Sequence, residues 1–151
     1  MKHIILLLLL VTFDLYAEKI TVSADSFLAD ETKNISILKG HVHIQKGSDD
    51  IQANKLIIDF DTKQKPLRYT LTGDVIFDIS TKKQHYSGTS EKIVYNPKSK
   101  LYTASGNVHI IDKIGHKTLQ GEKIIINRIT GKSIITGKKR HPVKFTFTVE
   151  E

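Results

Sequence analysis

A fourfold internal repeat constrains the fold of this chain more than any other feature of its 151 residues. Each copy begins with a small residue and a polar pair, continues with alternating apolar residues, and is followed by a glycine. The small residues are Ala24, Ala53, Ser90 and Gly121. The glycines are Gly40, Gly73, Gly106 and Gly137. An internal repeat of this kind is typical of one supersecondary unit stacked on copies of itself.

Apolar residues recur at every second position after residue 18, as they do in β-strands that bury one face. In the second copy the apolar face and the opposite, polar face are both easily read. The apolar face contains Tyr69, Leu71, Gly73, Val75, Phe77 and Ile79, and the polar face contains Thr70, Thr72, Asp74 and Asp78. No stretch has a clear helical period, so the sequence predicts an all-β fold of short strands joined by hairpin turns.

The apolar parity changes at the polar pair of each copy, for example between Ala53 and Leu56. A continuous strand cannot take this step of three residues and keep one face buried. We therefore predict that each polar pair holds a β-bulge or corner that bends the sheet over itself. The predicted corners are Asp25-Ser26, Asn54-Lys55, Glu91-Lys92 and Glu122-Lys123.

Residues 1–17 have the composition of a secretory signal peptide. Lys2 precedes a short apolar run from Ile4 to Phe13, and the segment ends at Ala17. The run is shorter than the roughly 20 residues that span a bilayer. We expect cleavage near Ala17, export to the periplasm and one domain over residues 18–151; an uncleaved membrane anchor is the alternative.

The composition limits the other classes of function. The chain has no cysteine, which excludes disulfides and thiolate metal sites. Its formal charge of +7 favours anionic partners, although lysine-rich turns also protect the edges of β-sheets. Aromatic residues share the inner parity and are expected to lie mostly away from the lysines. This arrangement argues against nucleic-acid binding.

No catalytic group, metal site or cofactor site is predicted. His41 and His43 share a face, but no carboxylate or cysteine completes a zinc site at a matching offset. The acidic pairs Asp49-Asp50 and Asp59/Asp61 are interpreted as solvated turn and surface residues. The cluster at 138–141 (Lys-Lys-Arg-His) has two open interpretations: a contact with phosphates or an acidic partner, or protection of a sheet edge.

The repeat motifs resemble the OstA-like family of lipopolysaccharide-transport proteins. The matching segments are Gly40–Ile44, Ala53–Ile58, Gly106–Ile110, Gly121–Ile124 and Gly137–Arg140. This resemblance implies a twisted β-jellyroll of antiparallel strands whose apolar interior carries the acyl chains of lipid A across the periplasm. It also implies end-to-end assembly with relatives of the same fold at the inner membrane and in the outer-membrane translocon.

Taken together, the resemblance and the parity predict a lipid-binding set of inward residues. The set consists of Val42, Ile44, Leu56, Ile58, Val75, Phe77, Ile93, Val108, Ile110, Ile124 and Ile126. The outward residues His43, Asp59 and His109 are expected to stay away from lipid.

The first and last strands are the predicted assembly edges, because an unpaired strand edge invites another strand. The edge residues are Ile20, Val22, Val143, Phe145, Phe147 and Val149. We expect head-to-tail self-association through them; the alternative is a monomer in which the last strand pairs inside the fold.

The favoured function is non-enzymatic: a periplasmic protein that binds lipopolysaccharide and bridges the inner- and outer-membrane transport components. Three alternatives remain open. They are a membrane-anchored or translocon-linked relative of the same fold, a structural or adhesive surface protein of β-repeats, and a carbohydrate-active enzyme, against which the lack of a buried carboxylate pair speaks.

Overall fold

The structure is a computed structural model that describes residues 19–80 and 83–150, so the predicted signal peptide lies outside the described residues. Ten strands form a single antiparallel sheet, and no helix occurs within the described ranges. The strands are β1 Ile20–Ser23, β2 Ser26–Asp30, β3 Ile35–Lys46, β4 Asp49–Phe60, β5 Pro66–Ser80, β6 His85–Asn96, β7 Leu101–Asp112, β8 Lys117–Asn127, β9 Ser133–Thr136 and β10 Lys144–Phe147. The predicted all-β, jellyroll-like fold is confirmed.

The six long strands, β3 to β8, pair in sequence order, and short strands lie at both edges of the sheet. β1 and β2 pair with the two halves of β3, because a bend at Asp25 separates the two short strands. β10 and β9 pair with the two halves of β8 in the same way. The first predicted corner, Asp25-Ser26, therefore lies where β1 and β2 are separated.

A line of register shifts crosses the middle of the sheet and divides it into two layers, which we call A and B. Between β3 and β4 the register passes from Lys39↔Lys55 to Val42↔Ala53, so two residues face one. Equivalent shifts occur in every pair of neighbouring long strands from β3 to β8. Layer A contains β1, β10 and the strand halves near residues 42–53, 75–90 and 108–121. Layer B contains β2, β9 and the remaining halves.

The prediction of bulges at the polar pairs was right about their place and wrong about the strand that carries the extra residue. The two-residue side of each bulge is the glycine strand: Gly40-His41, Gly73-Asp74 and Gly106-Asn107. All six residues have positive φ, close to +80° for the glycines and +47° for the residues after them. Glycine occupies this region at little cost, whereas a β-branched residue does not.

The polar corner residues explain why the glycine is required. A Cβ on Gly40 would collide with Asp25, one on Gly73 with Asn54, and one on Gly106 with Glu91. The polar side chain of one strand thus occupies the space that the neighbouring strand leaves empty. Because corner strands and glycine strands alternate, Gly40, Gly73 and Gly106 lie 33 residues apart.

We predict that Gly73→Ala lowers the free energy of unfolding by about 1–3 kcal/mol, since it combines a positive φ with a collision against Asn54. Gly131→Ala is the matched control, because Gly131 has φ of +76°, close to the +82° of Gly73, and no atom near its Cβ position. Chemical denaturation measures both variants. Equal losses of stability would mean that backbone strain alone, rather than the fit against the corner residue, selects glycine.

The fourth copy of the repeat differs from the others. Gly137 has no positive φ, and the chain leaves β9 there, turns through the bridge between Lys138 and His141, and returns as β10. A Cβ on Gly137 would lie 2.7 Å from the backbone of His141 and of Val143. This glycine therefore permits the close approach of two backbone segments at the side of the sheet.

The two layers enclose one apolar core between their inner faces. Its most deeply buried large side chains are Val42 and Val75 from layer A and Leu56 and Leu71 from layer B. The inward parity read from the sequence is correct along the central strands. Leu38, which is also buried, was missed because Ile35 and Ile37 give this segment the opposite apolar parity.

Candidate functional site

Two apolar cavities lie between the layers. One is near the edge of the sheet formed by β1, and the other is near the edge formed by β9 and β10. Cavity 1 has a volume of about 200 Å³ and is lined by Ile20 of β1, by Ile44 and Ile51 of layer A, and by Leu71 and three tyrosines of layer B. It exceeds the engineered apolar cavities of about 150 Å³ that stay dry and bind benzene. A small apolar group therefore fits into cavity 1 as it stands in the structure.

Cavity 2 has a volume of about 390 Å³ and lies toward the other side of the sheet. Phe77 and Ile110 of layer A line it, together with Ile124 and Ile126 of layer B and Phe145 of β10. The outermost strands thus contribute Ile20 to cavity 1, and Ser133 and Phe145 to cavity 2. The apolar interior extends toward both sides of the sheet.

A row of aromatic side chains forms part of the layer-B wall of cavity 1, and one of them, Tyr102, also lines cavity 2. Tyr69, Tyr95 and Tyr102 are direct cross-strand partners on β5, β6 and β7. The rings of Tyr95 and Tyr102 stack at 4.3 Å, and those of Tyr69 and Tyr95 are tilted at 6.0 Å. Burial raises the pKa of Tyr69 above its ordinary value, and the Lys46 ammonium acts in the opposite direction.

The predicted lipid-binding residues all face the interior, although not all of them line a cavity. Nine are buried, and Ile58 and Ile126 are half-buried against the core. Five of them line a cavity: Ile44, Phe77, Ile110, Ile124 and Ile126. The other six, Val42, Leu56, Ile58, Val75, Ile93 and Val108, lie outside the linings of both cavities. Their contact with lipid remains a prediction.

The tyrosine row and Leu71 were absent from the predicted binding set. Their inward parity was visible in the sequence, but their meeting at one place depends on the cross-strand register. The expectation that aromatic rings lie away from the lysines is wrong at Lys46, whose ammonium lies 5.5 Å from the centre of the Tyr95 ring. This distance is within the range of a cation–π contact.

The predicted edge residues lie on the two sides of the sheet. Ile20 and Val22 belong to β1, and Phe145 and Phe147 belong to β10, while Val143 and Val149 flank β10 just outside its bounds. β10 pairs with β8 on one side only, and all four of its residues are exposed. The last strand therefore pairs inside the fold and also ends the sheet. Its use in assembly remains a prediction.

The surface histidines contact separate carboxylates. Nδ1 of His41 lies 2.7 Å from Asp25, and Nε2 of His43 lies 2.7 Å from Asp50. The hydrogen bond to Asp25 raises the pKa of His41 above its ordinary value. Within residues 19–80 and 83–150, no three His, Cys, Asp or Glu side chains are grouped to hold a metal ion. In the same ranges, no helix is long and apolar enough to cross a bilayer.

Residues 21–132, from β1 to the turn before β9, match the family described as "LptA/(LptD N-terminal domain) LPS transport protein". The chain belongs to this family. Members of the LptA/LptD N-terminal domain family are transport proteins and not enzymes. The match confirms the resemblance that the repeat motifs suggested.

The fold also matches a solved structure. It is the crystal structure of LptH, described as the LptA homologous periplasmic component of the conserved lipopolysaccharide transport device from Pseudomonas aeruginosa. The TM-score is 0.76 at 17% identity, over 87% of this chain and 96% of that chain. At this identity the likeness concerns the fold. No curated protein sequence matches the chain.

Proposed function

We propose that this member of the LptA/LptD N-terminal domain family works in the periplasm, where it holds the acyl chains of lipid A between its two layers. The observation that carries the proposal is the pair of apolar cavities enclosed by the layers, each with a lining residue from an outermost strand. In this account residues 1–17 direct export and are then removed. Membership of a transport family and the likeness to a periplasmic relative support this location.

The energy of acyl-chain burial is sufficient for binding. Each buried CH₂ group contributes roughly 0.8 kcal/mol, so a 12-carbon chain gains on the order of 9 kcal/mol before entropy costs. A transport protein must also release its cargo. Incomplete burial of the chains suits release, and each cavity holds part of a chain rather than all of it.

The packed core beside the line of register shifts has to separate to accept more of the lipid. Val42 and Leu56 are almost fully buried there, on opposite layers. The outermost strands have four or five residues each and pair on one side only, so they open at lower cost than the long central strands. We propose that cargo enters by the parting of the layers next to these short strands.

The same short strands provide the proposed contacts between molecules. A second copy, or an inner- or outer-membrane relative of the same fold, adds its outermost strand to β1 or β10 by main-chain pairing. Phe145 and Phe147 have ring centres 5.2 Å apart and are both about half exposed. Covering them in a head-to-tail contact would join cavity 2 of one molecule to cavity 1 of the next, giving a continuous path between the membranes.

Photo-crosslinking tests the cargo. A crosslinking residue at Phe77 or Ile110, which are 4% and 3% exposed, is expected to label bound lipopolysaccharide. The matched controls are the neighbouring Ile76 and Ile111, which are 51% and 49% exposed on the outer face and equally apolar. We expect strong labelling at the two inward positions and little at the outward positions, because only the inward side chains face the proposed lipid. Equal labelling of both pairs would contradict the proposal.

A further inference from the structure

A third, polar pocket lies at the rim of the sheet, where the hairpin turns of the two layers face each other. It has a volume of about 420 Å³. Its cationic residues are Lys46 of layer A and Lys100 and Arg128 of layer B. Binding of acyl chains in the apolar cavities does not account for these three cations.

The polar pocket adjoins both apolar cavities. It shares Lys46, Asp49, Tyr95 and Tyr102 with cavity 1, and it shares Tyr102 and Arg128 with cavity 2. A group bound in the polar pocket is therefore next to the mouths of two apolar spaces that extend in different directions.

Local structure holds the cations at this position. Lys46 ends β3, and its ammonium lies over the Tyr95 ring. The backbone N–H of Arg128 donates a 3.0 Å hydrogen bond to the carbonyl of Lys100, which joins the β6–β7 and β8–β9 turns. The two layer-B cations are thus brought together by a contact between two hairpins and not by sequence proximity.

The charge of the polar pocket favours an anion. Asp49 is its one carboxylate, and Oδ1 of Asp49 accepts a 3.2 Å hydrogen bond from the backbone N–H of Ser80. Three cations and one carboxylate leave a formal charge of +2 at neutral pH. Guanidinium and ammonium groups at such a rim are suited to phosphoryl oxygens.

We propose that the polar pocket binds a phosphoryl group of an amphiphile whose alkyl chains enter the cavities on both sides. The inference rests on the proposed acyl-binding function and adds to it the place where the phosphate of the lipid is held. Lys100 and Arg128 contact the phosphate from layer B, and Lys46 contacts it from layer A. Tyr102, which lines both cavities, is next to both chains.

The test compares the dissociation constants of two lipids with the same acyl chains, diphosphorylated lipid A and its dephosphorylated form. The wild-type protein is expected to bind the phosphorylated lipid about tenfold more tightly, as two partly exposed charge contacts together provide. The double variant Lys100→Gln/Arg128→Gln is expected to lose this preference and still bind both lipids. Because both side chains are exposed, its melting temperature should be unchanged.

A charge-matched control is Lys33→Gln/Lys63→Gln, which removes two exposed lysines that line none of the three spaces. This control is expected to keep the tenfold preference. If it loses the preference as fully as the test variant does, the effect comes from net charge and the pocket assignment is wrong.

The remaining outcomes separate this inference from the function on which it rests. If the wild-type protein binds neither lipid, the proposed function fails. Equal binding of both lipids leaves that function standing and overturns the phosphate site. Inorganic phosphate is the third ligand, and it should not displace the lipid at equal concentration. Displacement by phosphate alone would identify a site for free anions and would contradict the assignment of a phosphorylated lipid as the ligand.

Discussion

Replacing Leu71 with alanine is expected to lower the free energy of unfolding by about 2–5 kcal/mol, the range found when a buried leucine is truncated. Leu71 is 2% exposed, and it both belongs to the core and lines cavity 1. The truncation removes apolar contacts between the layers and enlarges a cavity that the neighbouring strands cannot easily close. Chemical denaturation of the purified protein measures the loss.

Leu67→Ala is the matched control, since Leu67 lies four residues earlier on β5 and is 49% exposed. Its truncation should cost less than about 1 kcal/mol, as is usual for exposed positions. If both variants lose the same stability, the layers do not pack on each other through the inner face of β5. The stabilising core would then have to lie elsewhere in the sheet.

Removal of residues 143–151 is expected to abolish head-to-tail association while leaving a folded domain that still binds lipid. β10 contributes only exposed residues and a single pairing with β8, so its loss should leave the buried core between the layers in place. The oligomer loses the strand that the next molecule would extend. Light scattering over a range of concentrations measures the association, and circular dichroism follows the fold.

A chain that ends at Val149 is the control, because it keeps β10 and the edge residue Val149 while losing the last two residues. It should associate like the full-length protein. Undiminished association after removal of residues 143–151 would contradict the assembly proposal. Unfolding of that truncated chain would instead mean that β10 belongs to the core, and the proposed contact between molecules would lose its main support.

The alternation of apolar and polar residues along each strand was sufficient to predict most of the fold. Val75 and Phe77 were correctly read as inward because a β-strand has two faces and only one of them was apolar. The parity change between Ala53 and Leu56 likewise revealed that the sheet bends at the polar pairs. These features depend on one strand at a time, so a single sequence contains them.

Features that join two strands were not predictable in the same way. The extra residue of each bulge lies at the glycine, and its position became clear only from the register of neighbouring strands, in which Gly73 and Asp74 face Glu91. The stacking of Tyr95 on Tyr102 depends on cross-strand register, and the meeting of Lys100 with Arg128 depends on a contact between separate turns. The sequence alone does not specify either arrangement.

The most direct test of the account is native mass spectrometry of the purified protein with lipid A and with the same molecule after complete deacylation. The two ligands share sugars and phosphates and differ only in their alkyl chains. If the apolar interior holds the acyl chains, a one-to-one complex forms with lipid A, and the deacylated form binds at least a hundredfold more weakly, given about 0.8 kcal/mol for each buried CH₂. Equal binding of the two ligands would contradict the central claim.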